Sequence, residues 1–68
     1  MSKRAVVTGG GRGIGAAIVD RLRSDGYDVI PLDLQPGDGV VQCDVTDPMA
    51  VAATAAGIGP IDVLVNNA

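Results

Sequence analysis

Residues 8–15 read Thr8-Gly9-Gly10-Gly11-Arg12-Gly13-Ile14-Gly15 and hold five of the ten glycines in a chain of 68 residues. Before them lies a short apolar run, Arg4–Thr8, of strand length. After them Ile14, Ile18 and Leu22 fall four apart, a spacing that predicts one helical face, with Asp20, Arg21, Arg23 and Asp25 elsewhere on the wheel. A tight strand-to-helix turn needs glycine conformations, and backbone without Cβ lets a pyrophosphate approach closely. The N–H groups of the first helical turn then point at the phosphates, aided by the helix dipole. A glycine late in the motif lets the helix lie close to the strand. Glycines alone would be equally compatible with a turn that binds nothing. The strand before, the helix after and an acidic residue downstream favour a dinucleotide site. A P-loop is excluded, because the Gly-Lys-Ser/Thr ending is missing.

Outward from that turn, Val29–Asp33, Val40–Asp44 and Ile61–Asn66 are further runs of strand length, rich in Val and Ile. Gly26 stands where a left-handed cap of the first helix is expected. Thr46-Asp47-Pro48 announces a second helix: a capping side chain, then proline at the first helical position. It continues through Met49–Ala56 and stops at Gly57-Ile58-Gly59-Pro60. The order β-α-β-β-α-β with near-continuous apolar strands predicts a parallel α/β sheet. Two features resist. The link Leu34–Gly39 is shorter than the dozen residues usual for a parallel crossover and cannot contain a helix. Pro31 removes a ladder donor inside a predicted internal strand, so a bulge or weakened pairing is expected there.

Composition narrows the class. Apolar residues make up 47% of the chain, and the mean hydropathy of +0.34 suits a buried sheet better than a solvated mini-protein. A single cysteine, Cys43, and no histidine leave neither a disulfide nor a zinc cluster to support so small a unit, which is therefore expected to belong to something larger. Only Ala5-Val6-Val7 follows the basic N-terminus, too short for a signal-peptide core, and no run approaches membrane-spanning length. A reducing, cytoplasmic setting without a membrane partner is expected. The net charge of −3 and one aromatic residue, Tyr27, disfavour nucleic-acid binding.

Asp33 follows Gly13 by twenty positions and closes the second predicted strand. A carboxylate there can accept hydrogen bonds from both hydroxyls of an adenosine ribose. It would repel a 2′-phosphate by roughly 4 kcal/mol per unit charge at 4 Å and an effective dielectric near 20. That favours NAD over NADP. Arg12 pulls the other way, because a guanidinium there could reach a ribose phosphate; the alternative for it is a solvated turn residue. Leu34 supplies no second positive charge.

The spacing Thr8-Gly9-x-x-x-Gly13-x-Gly15 resembles the glycine motif of the classical short-chain dehydrogenases/reductases. Cys43-Asp44-Val45, at the end of the third predicted strand, resembles that family's acidic-hydrophobic pair. Asn66-Asn67-Ala68 resembles its Asn-Asn-Ala-Gly motif without the last glycine. The resemblance covers essentially the whole chain, although both later connections are shorter than is common in the family. It implies a Rossmann-type doubly wound sheet with strand order 3-2-1-4, residues 1–68 being the N-terminal part of a single NAD(P)-binding domain. It also implies that Gly9, Arg12, Gly13, Ile14 and Gly15 hold the pyrophosphate, Asp33 the ribose, and Asp44 and Val45 the adenine. Asn67 and Ala68 would line the nicotinamide-side ribose, and one of the asparagines would tie central strands together. Each motif also has a plainer reading, since Cys43 and Val45 are ordinary strand residues and an Asn pair can simply end a strand.

The family's chemistry uses a downstream serine and a Tyr-x-x-x-Lys pair. The tyrosine passes the substrate proton, the lysine lowers its pKa, and the serine steadies the substrate oxygen. Tyr27 is followed four residues later by Pro31 rather than lysine, so it reads as a packing residue, and none of the 68 residues is expected to be catalytic. The activity implied is hydride transfer between a nicotinamide coenzyme and an alcohol or carbonyl substrate, in a homo-oligomeric enzyme. Two alternatives stay open: a non-catalytic NAD(P)-binding sensor or scaffold, and a small structural α/β protein that binds no nucleotide. With the fourth strand as an open edge, the 68-residue peptide by itself is expected to be unstable or to aggregate.

Overall fold

The computed structural model describes residues 3–67. Along the chain it forms β1 (Arg4–Thr8), α1 (Gly13–Ser24), β2 (Asp28–Asp33), β3 (Val41–Gln42), α2 (Pro48–Ile58) and β4 (Val63–Asn66). The four strands make one parallel sheet in the order β3-β2-β1-β4, as expected for the doubly wound arrangement. The chain reverses direction across the sheet between β1 and β4, which opens a crevice at the carboxyl ends of those two strands.

β1 is central and buried on both faces, which is why it reads as an unbroken apolar run. Ala5, Val7 and Val29 meet Val19 of α1 on one face, with Ile18 and Leu22 beside them. Val6, Leu32 and Cys43 form the opposite core, against which Ala50 and Ile58 of α2 pack. Among the described residues no helix is long and apolar enough to cross a membrane.

The end of α1 is a Schellman motif. Gly26 takes φ 93°; its N–H donates to Arg23 O and that of Tyr27 to Leu22 O, each at 3.0 Å. Tyr27 packs with Leu22 against the core and is a packing residue, as expected. Ile14 shares the helical stripe of Ile18 and Leu22 but not their burial. It is 76% exposed, because α1 approaches the strands at Gly15 and its buried line runs through Gly15 and Val19, leaving the first turn overhanging the sheet.

α2 begins as read. Asp47 is the N-cap and accepts from Met49 N at 3.0 Å, and Pro48 occupies the first turn. It extends to Ile58 and Gly59 closes it, within the expected stop at Gly57-Ile58-Gly59-Pro60. None of its residues is fully buried, and a cavity of about 280 Å3 separates part of the helix from the sheet.

Pro31 produces no bulge, for β1–β2 register runs unbroken through the pair Val7↔Pro31. Leu32 O accepts from Gly10 beside β1, and Asp33 O accepts from Cys43 beside β3. By the alternation of a parallel strand, the nitrogen of Pro31 faces β3, where pairing starts only at Leu32↔Val41. The missing donor therefore lies before the β3 ladder begins. β3 is accordingly two residues long, Val41–Gln42, rather than Val40–Asp44. β4 starts at Val63, because Asp62 is bonded to the base of β1: Arg4 N donates to its carboxylate at 2.8 Å and Asp62 N donates to Arg4 O at 2.9 Å.

Candidate functional site

The glycine turn crosses the carboxyl end of the sheet, beyond β1. Gly9 and Gly13 have φ of 64° and 56°, values that disfavour any side chain with a Cβ. Gly10 lies against β2, where a Cβ would come within 2.8 Å of Pro31 Cβ and 2.9 Å of Val7 O. Gly15 presses on the turn itself: a Cβ there would be 2.0 Å from Gly9 O and 2.7 Å from Asn67 Nδ2. Arg12 is the N-cap of α1, makes no side-chain cap bond, and no acidic residue stands in the first turn. The positive end of the helix is thus open to an anion.

Asp33 sits at the tip of β2 beside this turn, 7% exposed. One carboxylate oxygen, Oδ2, accepts from Gly11 N and the other, Oδ1, from Gln35 N, both at 3.1 Å. Arg12 Nη2 is 3.8 Å from Oδ1, on a side chain that is itself 73% exposed. The Gln35 N–H, opposed by desolvation and joined by the Gly11 N–H, the Arg12 charge and the Leu34 N–H, holds the Asp33 carboxyl below its ordinary value. Asp33 is therefore a fixed anion at neutral pH, with its two oxygens oriented by the backbone.

Asp44 and Val45 lie beyond the short β3 rather than at its end, on the far wall of the same cleft. Asp44 Oδ1 accepts from Thr46 Oγ1 at 2.6 Å and Thr46 N at 2.9 Å. Those two bonds, the side-chain one foremost, lower the Asp44 pKa. A cleft of about 480 Å3 gathers Gly9, Arg12, Gly13, Asp33, Asp44 and Val45, joined by Leu32, Leu34, Cys43 and Thr46. Ile14, Gly15 and Asn67 do not line it. Ile14 projects from the first turn of α1, and Gly15 supports the turn from behind.

Asn66 and Asn67 join β4 to β1. Thr8 Oγ1 accepts from Asn67 N at 2.9 Å and lies 3.3 Å from Asn66 Oδ1. Asn67 Nδ2 donates to Gly9 O at 3.4 Å. The expected tie between central strands is therefore present, and it runs through both asparagines. Ala68 lies outside the described residues. Sequence reasoning passed over Gly11, Gln35 and Thr46. Gly11 was within reach as a member of the glycine turn, but the other two act through backbone N–H groups or a local turn that residue type alone does not announce. Among the described residues, no group of three or more His, Cys, Asp or Glu could hold a metal ion.

Residues 3–40 match the sequence profile described as short chain dehydrogenase. The chain is 43% identical to an acetoacetyl-CoA reductase of Shinella zoogloeoides, all of this chain aligning with 34% of that protein. It is likewise 43% identical to the 3-oxoacyl-(acyl-carrier-protein) reductase MabA of Mycobacterium tuberculosis, all of it aligning with 31% of that protein. A solved structure, a C-terminal deletion mutant of Thermoplasma acidophilum aldohexose dehydrogenase, superposes with a TM-score of 0.87 at 43% identity, over 98% of this chain and 33% of that one. The chain spans about a third of the length of the curated relatives it matches.

Proposed function

The chain belongs to the short-chain dehydrogenase family, and on that premise we propose that it forms the coenzyme-binding portion of an NAD-dependent oxidoreductase acting on an alcohol or carbonyl compound. The observation that carries this reading is Asp33. Its carboxylate is fixed by Gly11 and Gln35 over a glycine turn that leads into an uncapped helix. The residues fit a dinucleotide: the turn leaves room where side chains would intrude, the helix end favours a diphosphate, and Asp33 offers acceptors to ribose hydroxyls.

In this reading Gly9, Arg12, Gly13, Ile14 and Gly15 form or support the pyrophosphate cradle, and Asp33 holds the adenosine ribose. Asp44 and Val45 flank the adenine, and Asn67 borders the nicotinamide side. When bound, the coenzyme supplies the hydride. What these residues contribute is binding, orientation and exclusion of water at the phosphates. NAD is preferred to NADP because Asp33 stays ionised and its surroundings hold it in place. The Arg12 guanidinium, exposed at 3.8 Å, only partly offsets that charge. The reductase and dehydrogenase names of the relatives support carbonyl–alcohol chemistry, and the differing substrates in those names leave the substrate open.

Calorimetric titration of the full-length protein with NADH and NADPH tests the proposal. Binding of NADH in preference to NADPH is expected, with the preference lost in Asp33→Ala. No binding of either coenzyme would defeat it.

A further inference from the structure

Gln42 lies directly opposite Asp33 in the β2–β3 pairing, so the two side chains share the α1 face of the sheet. The segment between them, residues 34–40, carries Leu34, which borders the cleft, and Gln35, whose N–H fixes Asp33 Oδ1. This segment contains no helix or strand, and residues 34–39 are exposed. A turn from Val40 N to Gly37 O closes its far end at 3.1 Å. Near Asp33, Gln42 Nε2 donates to Leu34 O at 3.2 Å. Among the described residues, Gln42 and Asp33 itself are the side chains from outside the segment that are hydrogen-bonded to it.

The Leu34 carbonyl and the Gln35 N–H belong to the same peptide unit, which is planar. Holding the oxygen therefore holds the N–H that is aimed at Asp33. We infer that Gln42 is a positioning residue for coenzyme selection: it fixes the Leu34–Gln35 peptide, and through it the orientation of the Asp33 carboxylate toward the ribose 2′-hydroxyl. This rests on the coenzyme reading given above. Gln42 does not line the cleft, and the effect assigned to it acts through the Leu34–Gln35 peptide on the ribose contact.

The test compares ADP with 2′-deoxy-ADP, measured calorimetrically on the full-length protein, because the ratio of the two affinities reports the contact to the 2′-hydroxyl alone. In the wild type, ADP should bind more tightly. Gln42→Met keeps the length of the side chain but has no donor, and Gln42→Glu presents only acceptors at neutral pH. Both should shrink the ADP preference by roughly two- to tenfold, the range of one ordinary hydrogen bond, with little change in Tm. Gln42→Lys, which restores a donor, should keep the preference. A purely structural role would weaken both ligands together and leave the ratio unchanged, which would overturn the inference. Asp33→Ala separates the two levels. If it abolishes the ADP preference while both Gln42 variants retain it, the Gln42 inference fails and the ribose reading stands. If Asp33→Ala keeps the preference, the ribose reading itself falls and the inference falls with it.

Discussion

Gly15 lies against the carbonyl of Gly9 so closely that a Cβ at position 15 would stand 2.0 Å from that oxygen. The helix and the glycine turn therefore share one contact, and the same carbonyl accepts from Asn67 Nδ2. Packing of α1 on the sheet, the shape of the turn and the end of β4 are set at a single point.

Two glycine-to-alanine changes should have opposite signs because of that contact. In a helix, alanine is ordinarily favoured over glycine by roughly 0.5–1 kcal/mol. At Gly15 this gain is outweighed by overlap with backbone that cannot rotate away, of order 1–3 kcal/mol or more. Gly15→Ala should lower stability and weaken NADH binding. Gly57 in α2 has nothing within 4 Å of a built Cβ, so Gly57→Ala should raise stability by about 0.5–1 kcal/mol and leave binding alone. Thermal unfolding of the two variants beside NADH titrations checks both, and a stabilised Gly15→Ala would contradict the close approach.

Asp33 gives a prediction in pH. Its folded-state pKa is depressed below 3.8, foremost by the Gln35 N–H. A depressed carboxylate adds stability that is present above its unfolded pKa and is lost as pH falls through the lower folded value. The stability difference between wild type and Asp33→Asn should therefore be level from neutral pH to about pH 5 and shrink only in more acid solution. Denaturant titrations across that range measure it. A difference that already declines between pH 7 and 5 would show a raised pKa and an unfixed carboxylate.

How far the sequence reveals this molecule depends on how local each cause is. The β1–turn–α1 unit is legible because its strand run, its glycines and its cap at Gly26 are all encoded within a few residues of where they act. The pattern of runs announced a parallel α/β sheet, and the strand order was what the family resemblance implied. The exposure of Ile14 was not legible, because a four-residue spacing says which residues share a stripe but not where the stripe meets the sheet, and here Gly15 decides that. β3 was read too long because the run Val40–Asp44 does not reveal that β2 offers it a proline nitrogen just before the pair Leu32↔Val41. In the site, Asp33 was legible by its distance from Gly13. The donors that orient it, Gly11 N and Gln35 N, are backbone groups available at almost any residue, so their role emerges only once the chain is folded.

Asp47 caps α2 through its bond to Met49 N. Removing a capping side chain of this kind costs about 0.5–2 kcal/mol. Asp47→Ala should fall in that range, and Asp47→Ser should recover most of the loss because serine is an equally good cap. The measurement is chemical denaturation of the three proteins. Equal stability of all three would mean that the helix start is held by Pro48 and packing alone.

Arg4 holds the opposite end of α2. Its guanidinium donates from Nη1 to Ile58 O, in the last turn of the helix, and from Nε to Asp28 Oδ2 at 3.3 Å. The ion pair with Asp28 is half exposed and should add little by itself, of order 0.2–1 kcal/mol. The bond to Ile58 O matters more for order than for total stability. No residue of α2 is fully buried, and a cavity lies between the helix and the sheet, so the helix depends on its two ends. Arg4→Met keeps the aliphatic stem and removes both polar contacts. It should lower global stability by only about 1 kcal/mol, while amide exchange at the C-terminal end of α2 becomes several-fold faster than in α1. Hydrogen-exchange mass spectrometry resolves the two helices, and a uniform increase across both would show that Arg4 supports the whole sheet rather than this helix end.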